Sequence, residues 1–223
     1  MNSNPPSILG VNTFFDSLEY KNFTETEFRS SISFMDYDVV IIDTCNLAHN
    51  YQEDFHNTFQ GKRLISKDES HLMIDEFART RTQIIEFLKQ GKNIFILIES
   101  NENCFIHTGK TEYSGTGKNA RGSDIVTEFN TFSFLPIDLN PTMVNGEKFN
   151  ITCQAPYSTF FQATRDMVYY DAYFEISKES SLLTIPNSNK SISAVFEYEK
   201  GKIIILPCPY SEDYFDTDKE LKV

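Results

Sequence analysis

Residues 66–100 constrain the fold more than any other part of the sequence. Ser66 can accept a hydrogen bond from the backbone N–H three residues on, and Glu69 can reach back, which makes a capping box. Gly91 can take the positive φ that ends a helix, and an apolar run follows at residues 94–98. The sequence therefore predicts a capped helix, a glycine stop and a strand. Helical spacing predicts one buried stripe formed by Ile74, Phe77, Ala78, Ile84, Ile85 and Leu88.

A second apolar run, at residues 39–42, precedes this helix. Two unbroken apolar strands joined through a helix are typical of a parallel βαβ unit that is buried on both faces. We therefore expect an α/β fold, a three-layer sandwich with a mostly parallel sheet and a late antiparallel hairpin. The other strands predicted from apolar runs are residues 8–11, 172–176 and 182–185, and the hairpin consists of residues 192–198 and 202–207.

The remaining segments carry weaker patterns. Residues 14–34 favour helical or irregular structure, with Thr24 and Glu27 as a second capping box. Residues 44–65 are expected to form a long connection with a turn at Gly61. The other expectations are a glycine-rich loop at 101–123, one or two strands within 125–139 (clearest at 132–137), a hairpin turn at Asn145-Gly146 and a short helix at 160–167.

Length and charge limit the classes of protein that fit. A chain of 223 residues with 20 Phe and 11 Tyr has material for one domain, residues 1–223, which can also be one module of a longer chain. The net charge of −12 argues against general affinity for nucleic-acid phosphates. Because no apolar run approaches ~18 residues, no membrane span is expected. Four widely spaced cysteines without a CxxC motif indicate free thiols, so we expect a cytoplasmic protein.

Three segments carry a family resemblance: YDVVIID at residues 37–43, FLKQGKNIFIL at 87–97 and AVFEYEKGKIIILP at 194–207. Together they resemble the class I glutamine amidotransferase-like superfamily, including its trehalose-utilisation-type branch. The resemblance implies a flavodoxin-like sandwich. Catalytic members carry a Gly-x-Cys-x-Gly elbow after the strand that corresponds to residues 93–98, where this chain reads ESNENC. With no flanking glycine and no histidine after His107, the resemblance argues against the activity.

The leading hypothesis is therefore a non-catalytic, amidotransferase-like binding or scaffolding domain. We expect it to contact a protein partner or a larger assembly. A small-molecule ligand is also compatible with the carboxyl edge of the sheet, where α/β proteins place their ligands. No cofactor is predicted, because Gly109, Gly115 and Lys118 do not have the spacing of a phosphate-binding loop. Lys110, Lys118 and Arg121 leave a local contact with an anion open.

A second hypothesis rests on Asp43 and Glu99, which follow two neighbouring predicted strands. The run VVIIDTCNLA is similar to the opening of PIN-domain nucleases, in which an aspartate begins a cluster of acidic residues around Mg²⁺. Two carboxylates at strand ends would suit a hard cation that prefers oxygen ligands. The alternative for Asp43 is structural, since a strand-end aspartate often caps the turn that follows.

A third hypothesis pairs Cys104 with His107 as the nucleophile and base of a divergent cysteine hydrolase. The spacing of three residues allows the thiol and the imidazole to meet only if this segment is helical. His49, His56 and His71 do not have the spacing that places metal ligands on one helix face.

Overall fold

The computed structural model describes residues 5–13, 22–51, 57–99, 101–115, 121–150, 167–177 and 180–207. Within this part of the chain there are thirteen strands and one α-helix. Short 3₁₀ turns occupy Phe34–Asp36 and Leu47–Tyr51. The other elements are β1 (Ile8–Val11), β2 (Phe23–Thr26), β3 (Val39–Asp43), β4 (Thr58–Phe59), β5 (Lys62–Arg63), α1 (Lys67–Lys89), β6 (Asn93–Ile98), β7 (Cys104–Ser114), β8 (Arg121–Phe129), β9 (Thr142–Asn150), β10 (Met167–Glu175), β11 (Ser181–Thr184), β12 (Lys190–Tyr198) and β13 (Gly201–Pro207).

The described residues contain a nine-stranded main sheet with the order β2-β1-β3-β6-β13-β12-β10-β9, in which β11 also pairs with β12. The strands from β2 to β13 in this order are parallel to their neighbours. The strands beyond β13 pair in the antiparallel sense. The predicted βαβ unit, the mostly parallel sheet and the late hairpin are therefore confirmed. Among the parallel strands, the spatial order second-first-third-fourth-fifth is that of flavodoxin-like sheets.

One face of the parallel sheet is a continuous apolar core. Its side chains are each at most 2% exposed and come from adjacent strands in register: Leu9, Val11, Val40, Ile42, Ile94, Ile96, Ile203 and Ile205. Gly201 lies on the same face of β13 as Ile203 and Ile205. A Cβ added to Gly201 would lie 3.0 Å from the Cα of Leu88. This face therefore packs against the end of α1.

Helix α1 begins and ends as predicted, but its buried face differs in part. The Ser66 Oγ accepts a hydrogen bond from the Glu69 N–H at 3.4 Å, and Gly91 has a φ of +80°. The predicted stripe was wrong for Ala78, which is exposed. The buried positions alternate in steps of three and four: Ser70, Met73, Phe77, Thr80, Ile84, Phe87 and Leu88. Two hydroxyl residues belong to this row, and the predicted stripe also omitted the apolar residues Met73 and Phe87.

Several predicted segments were wrong. Thr24 lies inside β2, which pairs with β1, so residues 23–26 form a strand and no second capping box exists there. Residues 104–114 and 121–129 form the β7–β8 hairpin, so the loop predicted at 101–123 was wrong for 104–114 and 121–123, whereas residues 125–129 confirm a strand within 125–139. Residues 132–137 form turns, and Asn145-Gly146 lies within the continuous strand β9. The turn at Gly61 is confirmed by a φ of +79°. The short helix predicted at 160–167 lies outside the described residues, apart from its last residue.

The chain folds as two compact units. The first, here called the sheet unit, comprises Met1–Cys45, Gln83–Ser100 and Asn140–Val223 and contains the main sheet. The second, the hairpin unit, comprises Asn46–Thr82 and Asn101–Leu139 and contains the β4–β5 and β7–β8 hairpins. Its core is aromatic: Phe77 makes edge-on contacts with the rings of Tyr51, Phe129 and Phe134. Among the described helices, none has both the length and the apolar character needed to cross a membrane.

The close approach of β13 to α1 makes Gly201 sensitive to substitution. We expect Gly201→Ala to lower the free energy of unfolding by about 2–3 kcal/mol, because the added methyl group meets the Lys92 carbonyl oxygen and Leu88. Gly91→Ala is the matched control. Its added Cβ makes only ordinary contacts, and its cost of about 1 kcal/mol comes from the positive φ. Urea unfolding measures both variants, and equal losses of stability would contradict the packing described here.

Candidate binding site at the carboxyl edge of the parallel sheet

The carboxyl ends of β1 and β3 lie side by side in the sheet unit. Because β2 lies on one side of β1 and β3 on the other, the strand order reverses between them, and this is the position at which open α/β sheets bind ligands. Asn12 and Thr13 follow β1, Asp43 ends β3 and Thr44 follows it. All four residues are less than a tenth exposed, so this edge of the sheet carries buried polar side chains.

Asn12 connects three strands of this edge. Its backbone N–H donates to the Thr26 carbonyl at 2.7 Å. Its side-chain Nδ2 donates to the carbonyls of Asp43 at 3.4 Å and Cys45 at 3.1 Å. Asn12 has a φ of +56°, a conformation that asparagine tolerates better than most residues. The amide therefore fixes the course of the chain after both β1 and β3.

Thr13 continues the same network toward β2. Its Oγ1 donates to Oε1 of Glu25 at 3.2 Å, which joins the end of β1 to a carboxylate on its other neighbour. A Cβ on Gly10 would collide with this hydroxyl and with the ring of Phe23. Glycine at position 10 therefore leaves the space that Thr13 occupies.

Asp43 caps the turn that follows β3. Its Oδ1 accepts a hydrogen bond from the Cys45 N–H at 2.9 Å, the pattern of an Asx-turn. The geometry thus shows the structural role that the sequence offered as the alternative to a metal ligand. Asp43 is 6% exposed, and hydrogen bonding offsets the cost of burying its carboxyl group.

Thr44 fastens β3 to β6 and positions Glu99. Its backbone N–H and its Oγ1 both donate to the Leu97 carbonyl, each at 3.0 Å. The same Oγ1 accepts from the Glu99 N–H at 3.1 Å. Asp43 and Glu99 therefore lie at the ends of adjacent strands, as the sequence predicted. Among the described residues, however, no group of three or more His, Cys, Asp or Glu side chains is placed to hold a metal ion.

Cys104 and His107 are not brought together. Both lie in the regular part of β7, opposite Phe129 and Val126, and residues three apart in a strand point to opposite faces. Burial raises the pKa of the Cys104 thiol to about 11, against a smaller lowering by the Arg63 guanidinium. The His107 Nδ1 lies 3.7 Å from the Asp124 carboxylate. The segment is a strand, so the helical contact that the hydrolase hypothesis required does not form.

The other histidines and glycines of interest lie in the hairpin unit or outside the described residues. His49 contacts the Arg63 guanidinium, and burial, followed by the charge of Arg63, lowers its pKa. Gly109 has a φ of +74° at a bulge in β7, and a Cβ there would meet the ring of His71. The glycine-rich segment thus belongs to a hairpin and not to the strand-to-helix turn of a phosphate loop. His56 and Lys118 fall outside the described residues.

Sequence reasoning missed Asn12, Thr13 and Thr44. A signal was available, because VNT after the first apolar strand parallels IDT after the second. In both cases a polar residue and a threonine follow directly on a buried strand. Two such tripeptides at the carboxyl ends of parallel strands are expected to meet, since those ends lie at one edge of the sheet.

Comparisons with known proteins add little to this geometry. No protein-family model matches the chain. No curated protein matches it. Among solved structures, it is similar to one described as "Cytoplasmic Protein STM3548 from Salmonella typhimurium", with 12% sequence identity and a TM-score of 0.41. That similarity covers 95% of this chain and 91% of the other, and we draw no functional conclusion from it.

The role of Thr44 as a fastener can be tested by removing only its hydroxyl group. We expect Thr44→Val to lower the free energy of unfolding by about 1–3 kcal/mol, since the Glu99 N–H loses its buried acceptor. Thr44→Ser keeps the hydroxyl and should retain most of the stability. Chemical denaturation measures the loss, and amide exchange at Glu99 should accelerate in the valine variant. An unchanged exchange rate would show that Thr44 does not hold this edge.

Proposed function

We propose that this protein is a non-catalytic, amidotransferase-like binding domain that takes a polar ligand or a partner at the carboxyl edge of its parallel sheet. The observation that carries the proposal is the buried network of Asn12, Asp43 and Thr44 at the point where the strand order reverses. A rigid polar edge at this position is what a ligand-binding α/β domain requires.

The groups that chemistry would need have structural partners, which favours binding over catalysis. Asp43 accepts a backbone hydrogen bond, and Thr44 joins two strands. Cys104 is fully buried in a strand, and its raised pKa keeps it protonated near neutral pH, whereas a nucleophilic cysteine needs a lowered pKa. These assignments support a domain that recognises other molecules through a fixed surface.

The proposal includes three finer expectations. First, the sheet is the middle of a three-layer sandwich: Ile41, Phe95 and Ile204 on the face opposite α1 are apolar and half-buried, as in a sheet covered on both sides. Second, the protein is cytoplasmic, in keeping with the free thiols of Cys45 and Cys104. Third, the domain works with a protein partner or within a larger assembly.

A binding role predicts where ligands perturb the protein. We expect a library of small hydroxyl, amide and ammonium compounds, titrated into the ¹⁵N-labelled chain, to shift amide resonances mainly at residues 10–13, 43–45 and 97–99. Hydrogen-bonding compounds should respond most, because this edge is polar. NMR chemical-shift mapping provides the measurement.

A matched pair of charge reversals sharpens this test. Glu99→Arg alters the edge and should weaken the binding of ammonium compounds, whereas Glu197→Arg alters a side chain on β12 that is 82% exposed and should leave it unchanged. If the shifts cluster elsewhere, or if both reversals have the same effect, the proposed site is wrong.

A PIN-like nuclease is the second candidate, and the specific observation in its favour is that Asp43 and Glu99 end adjacent parallel strands. This candidate predicts cleavage of single-stranded RNA or DNA in the presence of Mg²⁺ or Mn²⁺. Asp43→Asn is the decisive variant, because the asparagine oxygen can still accept from the Cys45 N–H while the negative charge is lost.

Under the nuclease hypothesis, Asp43→Asn abolishes both the cleavage and any rise in melting temperature caused by Mn²⁺. Under the binding hypothesis, wild type and variant melt alike with and without the metal, and neither cuts nucleic acid. Melting curves and gel assays on the same preparations therefore separate the two candidates.

A further inference from the structure

Strand β8 of the hairpin unit has an open edge. Along one side it pairs with β7, and in the described part of the chain no strand pairs with its other side. Each of its nine residues is exposed or half-exposed, so no described segment of the hairpin unit buries this strand. A row of backbone donors and acceptors therefore faces water along this edge.

Edge strands of this kind are usually protected against pairing with other chains. Common protections are short length, proline, charged side chains (lysine above all) and a bulge in the edge strand itself. Strand β8 has nine residues, compared with about five or six in a typical strand, and contains neither proline nor lysine. The bulge of this hairpin lies in β7, between His107 and Thr111. The edge of β8 therefore remains regular and able to pair.

The acidic charges of β8 are compensated within the chain. The Glu128 carboxylate lies 2.5 Å from the Lys62 ammonium group, and the Asp124 carboxylate lies 3.4 Å from the Lys67 ammonium group. By alternation these two residues share one face of the strand. The other face carries Arg121, Ser123, Ile125, Thr127 and Phe129. The Ile125 side chain is 37% exposed, whereas the Phe129 ring packs against Phe77.

We propose that β8 pairs in the antiparallel sense with β8 of a second copy of this chain, with Ile125 on the two-fold axis. A two-fold axis that relates two neighbouring antiparallel strands of one sheet must be perpendicular to that sheet. The axis passes between the two strands, so one residue of each strand lies directly opposite the same residue of the other copy. Ile125 is the middle residue of β8, so this register uses the full strand.

The side chains fit this register. Ile125 faces the partner's Ile125 across the axis, and Ser123 lies opposite the partner's Thr127. Apolar pairs and hydroxyl pairs at opposed positions both stabilise a sheet. Moving the axis to Asp124 would place two carboxylates opposite each other, which disfavours that register. No like charges are opposed when Ile125 is on the axis.

Charge and size set the strength of this association. A single strand pair buries less surface than a standard protein interface, and each copy carries a net charge of −12, so the copies repel at long range. Salt screens this repulsion. The dimer should therefore be weak and concentration-dependent, and it should become stronger with added NaCl.

Sedimentation equilibrium of the full chain tests the proposal, from about 10 μM to about 1 mM, the range expected for weak association. We expect the dimer fraction to rise with concentration and with NaCl. A monomeric mass across the whole range would overturn the proposal. So would polydisperse aggregation without a defined dimer.

Substitutions on the axis provide the specific test. Ile125→Lys should weaken the dimer about tenfold or more, because two ammonium groups then face each other. Ile125→Glu should do the same, and an equimolar mixture of the two variants should restore association, since lysine then faces glutamate. This rescue cannot arise from misfolding. Tyr113→Lys, at a side chain 75% exposed on β7, is the control and should dimerise like the wild type. Failure of the mixture to associate would refute pairing at Ile125.

Discussion

Burial of one apolar face of the parallel sheet is the interaction on which the rest of the structure depends. Val40, Ile94 and Ile203 form one row across three strands, and the glycine at position 201 lets α1 approach this face closely. Hydrophobic burial of this kind is non-directional, so it fixes the sheet without specifying chemistry. Its consequence is geometric. Once the strands are parallel and in register, their carboxyl ends meet at one edge.

Polar residues at that edge are buried, so they must be hydrogen-bonded. Leaving the Asp43 carboxylate or the Thr44 hydroxyl without a partner would cost about 1–3 kcal/mol or more. The network formed by Asn12, Asp43 and Thr44 avoids this cost and makes the edge rigid. A carboxylate that already accepts a backbone N–H is a poorer ligand or base than an unengaged one. The same bonds that stabilise this edge therefore hold the Asp43 carboxylate in a structural role.

Sequence reasoning found the elements with strong apolar periodicity and missed those without it. Strands β1, β3, β6 and β13 are mainly apolar runs, and their positions follow from local pattern alone. Strand β2 reads FTET, which lacks such a pattern and becomes a strand through its pairing with β1. The edge positions of Asp43 and Glu99 were predictable from the ends of two strands. The position of Asn12 could have been predicted in the same way from the end of β1, but its hydrogen bonds to carbonyl groups 31 and 33 residues away could not.

The same reasoning explains why residues 121–123 of β8 were read as part of a loop and why only residues 125–129 fell in a segment predicted to hold strands. A strand is recognised from sequence when one of its faces is buried and the other is wet, because burial imposes a period of two. Both faces of β8 meet solvent, so no such period exists. A strand of this type also has little hydrophobic pattern to define its outer edge. The limits of β8 are therefore defined by its backbone pairing with β7 and not by a hydrophobic pattern in its own sequence.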